Sequence, residues 1–473
     1  MWKRTGLFCA LLVQFAFACS ARGLDDLSSG NGPGASGSGA VDAGSGGAAG
    51  SHTGGTGGEA WPCGPTQKQC ASECVNVDDP TTGCSDTSCG ACIVPNAVAA
   101  CAPACAVGSC STGYADCDGS AGNGCEINVN TDPNNCGGCG TACAANQVCS
   151  DGKCVTSCSS GHTTCGGSCV DLSNDSQHCG ACGVDCLGGA CSDGKCAPAV
   201  LATGLQNPNS LALTSSRLYW TSGVAPAGQV RSLDLANPSS SKVEALQLEK
   251  PGGLNLLNGE LFWFESQGLR RMLLGGDVED SVFAADPTTL VVEDYIYFGT
   301  AAGRLFRAPL GGGTKQILYE DLVHGPIQGL SVGATNLYFI QAGTIYRMPK
   351  TGGTAAGVAG AQPSTGAGLL VGSDYFFANP TIVYMIGTGN QKTAAAAQSL
   401  PWAFAYDGKD LYWVNKNDET KGSVVRLRPP FGQSSPEVIA TGQAEPIAIA
   451  VDGTAVYWAN SGTGEILRLV KGN

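Results

Sequence analysis

The sequence Leu411-Tyr412-Trp413-Val414-Asn415 is the clearest indication of the fold of this chain, because similar stretches recur throughout its C-terminal part. Each copy has aromatic residues at its second and third positions, and the copies are 35 to 45 residues apart. They begin at Leu218, Leu261, Ile296, Leu337, Tyr375, Leu411 and Val456. Short strands that repeat at intervals of about 40 residues are typical of β-propeller blades. The seven copies therefore predict seven blades.

The residues between these copies also predict strands. Apolar runs of four to six residues, rich in Val, Ile, Tyr and Trp, end at Gly, Asn, Asp or Pro. Residues 199–203 resemble the outer strand predicted at 438–441, whereas the last copy ends at 467–470 without such a strand. We expect the first strand to complete the seventh blade and remove its open edge. The prediction is a mainly β fold, with a seven-bladed β-propeller over residues 198–473.

In these repeats the C-terminal part resembles seven-bladed propellers with YWTD-like or NHL-like repeats. A polar residue stands two positions after the second aromatic residue of every copy. These residues are Ser222, Glu265, Thr300, Gln341, Asn379, Asn415 and Asn460. One interpretation is a polar ligand-binding ring around one mouth of the channel. The resemblance implies the alternative, because the matching residue of YWTD repeats forms hydrogen bonds between blades.

Two unequal loops and one aromatic residue add candidates for recognition. The segments 221–229 and 414–422 are longer than their five counterparts, and the second contains Asn417. Trp402 follows Pro401 where the other copies have smaller residues. Variation in loop length on one face of a repeat protein is typical of a binding surface. We therefore predict that this face binds a cell-surface protein, a peptide or a glycan.

The predicted ligand-binding set is drawn from these two patterns. It consists of Trp402, Asn415, Asn417, Glu265, Gln341, Asn379 and Asn460.

An enzyme is the alternative class. Propellers that resemble streptogramin lyases use more than one histidine together with a glutamate and a metal, whereas residues 198–473 contain only His324. A general base needs a partner and a substrate position, and no paired carboxylates stand at a recognisable spacing. We predict no catalytic residue, metal or cofactor. A lyase or hydrolase and a purely structural envelope component remain the alternatives to a binding protein.

The N-terminal part is rich in cysteine, with 24 of the 26 cysteines between Cys63 and Cys196. Three copies of a cysteine spacing begin at Cys70, Cys125 and Cys165, so residues 61–197 form a predicted triplicated module. This density predicts a small disulfide-rich region in an exported protein, with twelve bridges. Its C-x-x-C motifs leave a zinc site as the alternative.

Two stretches of this region resemble known cysteine-rich repeats. Residues 165–172 with 178–183 are similar to the stigma-specific cysteine-rich family. Residues 113–119, 123–126 and 131–140 are similar to repeats of exported myxobacterial proteins. These resemblances imply an exported, bacterial surface protein and no catalytic activity.

The first 60 residues predict export and a tether. Lys3 and Arg4 precede an apolar run that ends at Ala18, as in a signal peptide over residues 1–18. The following Cys19 completes a sequence that resembles a bacterial lipobox, and it is left over when the 24 clustered cysteines pair. We predict lipidation at Cys19, with a plain secreted protein as the alternative. Residues 19–60, rich in Gly and Ser, would form a flexible tether.

The charge distribution limits the partners. Residues 61–197 carry three Lys or Arg residues against 13 Asp or Glu residues, and the whole chain has a net charge of −14. Without a basic patch, nucleic acid is excluded as a partner. The acidity of the cysteine-rich region is explained by solubility, and weak calcium affinity is the alternative. We expect contact with a membrane only through the N-terminal lipid.

Overall fold

The computed structural model describes residues 63–471, apart from 65, 71–72, 85–88, 103, 239–240, 284–285, 361–362, 388 and 418–420. The predicted signal peptide, Cys19 and the tether lie outside the described residues. All regular elements within them are β-strands. No helix in the described part of the chain is long and apolar enough to cross a membrane. Residues 63–473 belong to one compact unit.

All 24 cysteines between Cys63 and Cys196 are paired in disulfides, which confirms the twelve predicted bridges. The pairing is the same in three successive sets of eight cysteines. The first cysteine of a set bonds to the third, the second to the fifth, the fourth to the seventh and the sixth to the eighth. We call these sets module 1 (63–105), module 2 (110–154) and module 3 (158–196).

The boundaries of the modules correct the expected starts of the copies at Cys70, Cys125 and Cys165. Every module begins earlier, with a first cysteine seven residues before the second, as in Cys63 and Cys70. That constant spacing was the signal that locates the repeat. The two cysteines of each C-x-x-C motif belong to different disulfides, so zinc has no thiolates to bind in residues 63–196.

The modules contain only short strands, because turns and disulfides form most of their structure. Strand β10 of module 3 pairs in parallel with β7 of module 2, with Ser168 opposite Cys149, so the two modules share one sheet. The strands are β1 (Gln67–Cys70), β2 (Glu73–Asn76), β3 (Ala97–Cys101), β4 (Cys105–Cys110), β5 (Tyr114–Ala115), β6 (Ile127–Asn128), β7 (Val148–Ser150), β8 (Lys153–Val155), β9 (Thr163–Cys165), β10 (Ser168–Val170), β11 (Cys191–Ser192) and β12 (Lys195–Cys196).

The remaining strands form seven four-stranded antiparallel sheets, the blades of a β-propeller. They are β13 (Ala199–Ala202), β14 (Ser210–Leu213), β15 (Arg217–Ser222), β16 (Gly228–Asp234), β17 (Ser241–Leu248), β18 (Gly252–Leu257), β19 (Glu260–Glu265), β20 (Gly268–Leu273), β21 (Val278–Phe283), β22 (Pro287–Val292), β23 (Ile296–Thr300), β24 (Arg304–Ala308), β25 (Gln316–Glu320), β26 (Gln328–Val332), β27 (Asn336–Gln341), β28 (Thr344–Pro349), β29 (Ala356–Gly360), β30 (Gly368–Val371), β31 (Asp374–Ala378), β32 (Val383–Ile386), β33 (Lys392–Ala395), β34 (Pro401–Tyr406), β35 (Leu411–Asn415), β36 (Gly422–Leu427), β37 (Glu437–Gln443), β38 (Pro446–Val451), β39 (Ala455–Asn460) and β40 (Glu465–Val470).

The ring closes as predicted. Blades 1 to 6 each contain four consecutive strands, from β14–β17 to β34–β37, and blade 7 combines β38–β40 with β13. In blade 7, Ala199 lies opposite Arg468 and Ala202 opposite Ile466. The innermost strands of neighbouring blades adjoin all around the ring, including β14 and β38. The first strand therefore occupies the outer edge that the last blade would otherwise expose.

The aromatic copies form the core between the blades, because successive side chains of a strand point to opposite faces. On β35, Tyr412 belongs to a buried cluster with Trp458 of blade 7, whereas Trp413 belongs to one with Phe376 of blade 5. Each of the seven buried clusters joins two neighbouring blades. The aromatic pair of a copy thus holds its blade to both neighbours.

Module 3 packs directly against blades 6 and 7. Its Cys186–Cys196 disulfide belongs to the same buried cluster as Tyr412 and Leu469. The guanidinium of Arg468, only 6% exposed, donates hydrogen bonds to the carbonyl of Leu187 in module 3 and to that of Leu235 after β16. One buried arginine therefore connects module 3, blade 7 and blade 1.

Candidate binding site

The loops between the second and third strands of the blades open on the same face as the connections into the innermost strands; we call it the top face. The loop between β15 and β16 has five residues and that between β35 and β36 has six, whereas the other five loops have two to four. This confirms the prediction that two of the seven loops are longer than the other five. The two long loops belong to blades 1 and 6.

The seven polar residues predicted from the repeat lie where the second strands end at the top face. Six of them are buried, with at most 5% of their surface exposed, and Asn379 is partly buried. The buried residues are Ser222, Glu265, Thr300, Gln341, Asn415 and Asn460. Their location at one end of the propeller is as expected, and their polar atoms are largely used inside the protein.

Glu265 shows how such a residue holds its blade. Its carboxylate accepts hydrogen bonds from the backbone N–H of Glu249 at 2.9 Å, from the indole of Trp263 at 3.2 Å and from Arg270 Nε at 3.1 Å. Glu249 lies on the connection from blade 1 into blade 2, whereas Trp263 and Arg270 belong to blade 2. The carboxylate thus ties the hairpin of its own blade to the chain that enters from the preceding blade.

Gln341 has the same role in blade 4. Its amide nitrogen donates to the carbonyls of Asp321 and Gly325, at 2.9 and 2.8 Å, on the connection from blade 3. Its amide oxygen accepts a hydrogen bond from the Tyr319 hydroxyl at 2.9 Å. Asn379 instead accepts bonds from the backbone N–H groups of Thr381 and Ile382 and so closes its own hairpin turn.

Asn415 and Asn460 share an arrangement that the repeat pattern did not predict. Each donates to a glutamine just before its blade, both at 3.1 Å: Asn415 to Gln398 on the connection from blade 5, and Asn460 to Gln443 at the end of β37. The same glutamine oxygen accepts the indole N–H of the tryptophan two residues before the asparagine. The sequence does contain a pattern that could have predicted these bonds. In both blades a glutamine stands three residues before the proline that begins the innermost strand and 17 residues before the asparagine.

Trp402 differs from these residues because 39% of its surface is exposed. It lies at the top end of innermost strand β34, in a β-bulge: Pro401 and Ala403 are paired with β35 and Trp402 is not. The ammonium of Lys416, from the long loop of blade 6, lies 4.6 Å from the centre of the ring. The cation holds one face of the indole while the rest remains accessible.

The equivalent residues of two other blades have a structural role. Asn209 donates to the carbonyl of Pro251 at 2.9 Å, and Thr288 donates to that of Ile327 at 2.6 Å. Both bonds connect one blade to the chain leading into the innermost strand of the next. Trp402 makes no such bond, so this side chain does not connect its blade to the next one. Asn417, the other predicted residue of this segment, is partly buried beside Lys416.

His324 lies on the connection between blades 3 and 4, where it pairs with an aspartate of the same turn. Its Nδ1 is 2.6 Å from Asp321 Oδ2. The hydrogen bond from the His324 ring, followed by that from the Val323 amide, holds the pKa of Asp321 below its ordinary value. The pair is a turn contact at the surface, and no second histidine stands in the propeller sequence.

One carboxylate cluster in module 2 has the composition of a cation site. Asp116, Asp118 and Glu126 each place an oxygen within 4.8 Å of the others. The backbone N–H groups of Gly119, Ser120 and Cys117 respectively donate to these carboxylates. A hydrogen bond from the Asn123 amide, followed by that from Ser120, holds the pKa of Asp118 below its ordinary value. These bonds account for the loop, and the cluster carries no metal assignment.

No protein-family model and no curated protein matches this sequence. Solved structures with a similar fold include catalytically inactive virginiamycin B lyase from Staphylococcus aureus with quinupristin, at 16% identity and a TM-score of 0.48 over 58% of this chain and 98% of that one. The WD40 propeller of Doa1 has 11% identity and a TM-score of 0.47 over 59% and 97%. YCF48 bound to D1 peptide has 9% identity and a TM-score of 0.46 over 58% and 96%.

These similarities carry no inference about activity or ligand, because the identities are below 25% and the TM-scores below 0.5. The propeller is established by its own seven sheets and their closure. The resemblances of the modules to named cysteine-rich families and of the blades to YWTD-like repeats stay predictions. The twelve disulfides indicate an exported or extracellular protein.

Proposed function

We propose that this chain is an exported binding protein anchored at the cell surface, and that the top face of its propeller binds a protein or peptide partner. The observation that carries the proposal is the exposed side chain of Trp402, at a position whose equivalents in blades 1 and 3 join neighbouring blades. A large aromatic side chain in a bulge beside the channel, already oriented by Lys416, is suited to anchor a partner.

Other exposed apolar side chains favour a protein or peptide over a glycan at this face. Val224 of the long loop in blade 1 is 51% exposed. Leu322 and Val323, on the connection into blade 4, are 55% and 87% exposed. Apolar side chains contribute to protein interfaces by burying area, whereas sugars are bound mainly through hydrogen bonds. Glu265, Gln341, Asn379, Asn415 and Asn460 would then support the site by holding the loops in place.

We expect Trp402→Ala to weaken binding of the partner about tenfold or more, as loss of a central aromatic anchor does. Full-length protein would be crosslinked to the isolated cell envelope, and the captured partner identified and titrated against the purified variants. Tyr406→Ala is the matched control, because Tyr406 is a similarly exposed aromatic residue at the other end of β34. Equal affinity of the Trp402→Ala and wild-type proteins would remove Trp402 from the site.

The surface anchor is proposed at Cys19, with modules 1 to 3 acting as a stalk. The tether of residues 19–60 would extend about 30 Å from the membrane. Cells fed an alkyne-bearing fatty acid are expected to label the wild-type protein and the Cys9→Ala variant, but not Cys19→Ala, because only Cys19 follows the predicted cleavage motif. Absence of label from the wild-type protein would leave a plain secreted form.

A lyase or hydrolase remains less supported, because the only propeller histidine forms a surface pair with Asp321. Metal analysis of the purified wild-type protein tests this alternative. A stoichiometric amount of divalent metal in the propeller would support an enzyme. A purely structural envelope component would bind its neighbour without dependence on Trp402.

A further inference from the structure

We propose that the cleft between modules 2 and 3 binds a neutral oligosaccharide, a second binding function that goes beyond the one proposed for the propeller. The cleft has a volume of about 730 Å³. It lies between hairpin β5–β6 with the turn at 131–134 on one side, and β10 with the turn at 174–178 on the other. This volume is in the range of small-molecule sites in proteins.

The two walls of the cleft come from the same turn in successive repeats. In module 2 the backbone N–H of Asp132 donates to the carbonyl of Asn128 at 2.9 Å, and in module 3 that of Asp175 donates to Asp171 at 2.9 Å. Each turn leads directly to a cysteine that is held in a disulfide. Because β7 and β10 share a sheet, the walls also have a fixed spacing. The cleft is therefore formed before a ligand arrives, which lowers the entropic cost of binding.

Many polar groups that line the cleft are not used by the protein. Their side chains make no hydrogen bond to any other described residue, although each can donate and accept one. They are the amides of Asn134, Asn174 and Gln177 and the hydroxyls of Tyr114, Thr131, Ser168 and Ser176. An amide can donate to one sugar hydroxyl and accept from its neighbour, so this lining is suited to pairs of adjacent hydroxyl groups.

The charges of the lining exclude other ligand classes. Glu126, Asp132 and Asp175 line the cleft, whereas no Lys or Arg does. Phosphates, sulfates and uronic acids would be repelled without a compensating cation. The ring of His178 is 3.3 Å from Asp175, so its position is explained within the protein.

The apolar part of the lining is too small for a lipid or an apolar peptide. It is limited to Tyr114, Ile127, Pro133 and Val170. Tyr114 is partly buried and offers a ring on which a sugar can stack. Carboxylates accept hydrogen bonds from hydroxyl groups as well, so the three acids are compatible with a neutral sugar. The combination of amides, hydroxyls, acids and one aromatic ring favours a polyhydroxyl ligand.

The test uses the full-length oxidised protein and three neutral probes: maltohexaose, cellohexaose and N-acetylated chitohexaose. Isothermal titration is expected to show at least one of them binding with a Kd of about 1 mM or lower. The double variant Asn174→Ala, Gln177→Ala is expected to weaken that binding about tenfold or more, because it removes two amides from one wall. Asn146→Ala is the matched control: its side chain is exposed, has no partner among the described residues and lies outside the cleft.

Asp132→Asn separates a neutral sugar from a cationic ligand, since asparagine keeps the oxygen that accepts the Asn134 N–H. A neutral sugar is expected to keep binding this variant, because the amide oxygen of asparagine still accepts a hydrogen bond from a hydroxyl group, and to bind equally at about 50 and 500 mM NaCl. Failure of all three hexasaccharides to bind would overturn the proposal. So would binding of hexalysine in the cleft, lost in Asp132→Asn and at high salt. Loss of hexasaccharide binding in Trp402→Ala would place the sugar on the propeller instead.

Discussion

Replacing Trp413 with alanine is expected to lower the free energy of unfolding by about 3 to 5 kcal/mol. The side chain has no exposed area and packs between blades 5 and 6, in a cluster with Phe376 and Val425. Its indole N–H also donates to Gln398 at 3.0 Å, so alanine leaves both a cavity and a weakened link to the incoming connection. Denaturant titration of the full-length oxidised protein, followed by tryptophan fluorescence and circular dichroism, would measure the loss.

Trp402→Ala is the matched control for this effect. Trp402 keeps 39% of its surface exposed and lies outside the buried clusters, so the expected loss is smaller, about 1 to 2 kcal/mol. The two substitutions remove the same side chain from neighbouring strands of one blade, so they separate a core residue from a surface one. Equal losses for the two variants would contradict the assignment of Trp413 to the core and Trp402 to a binding face.

Much of the propeller could be predicted because its core repeats along the sequence. The aromatic pair of each copy faces both neighbouring blades, as Tyr412 and Trp413 do, so every blade needs a similar pair. The closing strand could be predicted from the absence of an outer strand after β40. The number of blades and their closure are thus properties that local pattern and strand pairing determine.

The partners of the polar positions could not be predicted in the same way. Asn415 and Glu265 stand at equivalent places in their copies, yet one bonds to the side chain of Gln398 and the other to a backbone N–H. These bonds depend on how the connection from the preceding blade folds back, and periodicity does not contain that information. The exposure of Trp402 likewise depends on a bulge that a single proline in the sequence does not specify.

The disulfide pairing within each module could not be predicted from the sequence either, since eight cysteines allow about a hundred pairings. The choice depends on which cysteines the turns bring together. In module 3, for example, Cys165 bonds to Cys182, whereas Cys179 of the same C-x-x-C motif bonds to Cys191.

Full reduction of the twelve disulfides is expected to unfold modules 1 to 3 while most of the propeller stays folded. Apart from cysteines, Val94 and Val170 are the buried apolar residues found in the described part of 63–196. The modules therefore lack a core that could replace the bridges, each of which contributes about 2 to 5 kcal/mol. The propeller contains no cysteine and is held by buried clusters between its blades. Hydrogen exchange after reduction and alkylation would show fast exchange in 63–196 and protection in β14–β39.

The contact between module 3 and the propeller predicts how far the effect of reduction extends beyond the modules. Module 3 shares a buried cluster with Tyr412 and Leu469, and Leu187 accepts a hydrogen bond from Arg468. We therefore expect reduction to speed exchange locally in β13 and β40, since their neighbour unfolds, without opening β23 or β27 in blades 3 and 4, on the far side of the ring. An alkylated, unreduced sample is the control. Loss of protection throughout the propeller would mean that module 3 is required to keep the ring closed, and residues 198–473 would then not fold alone.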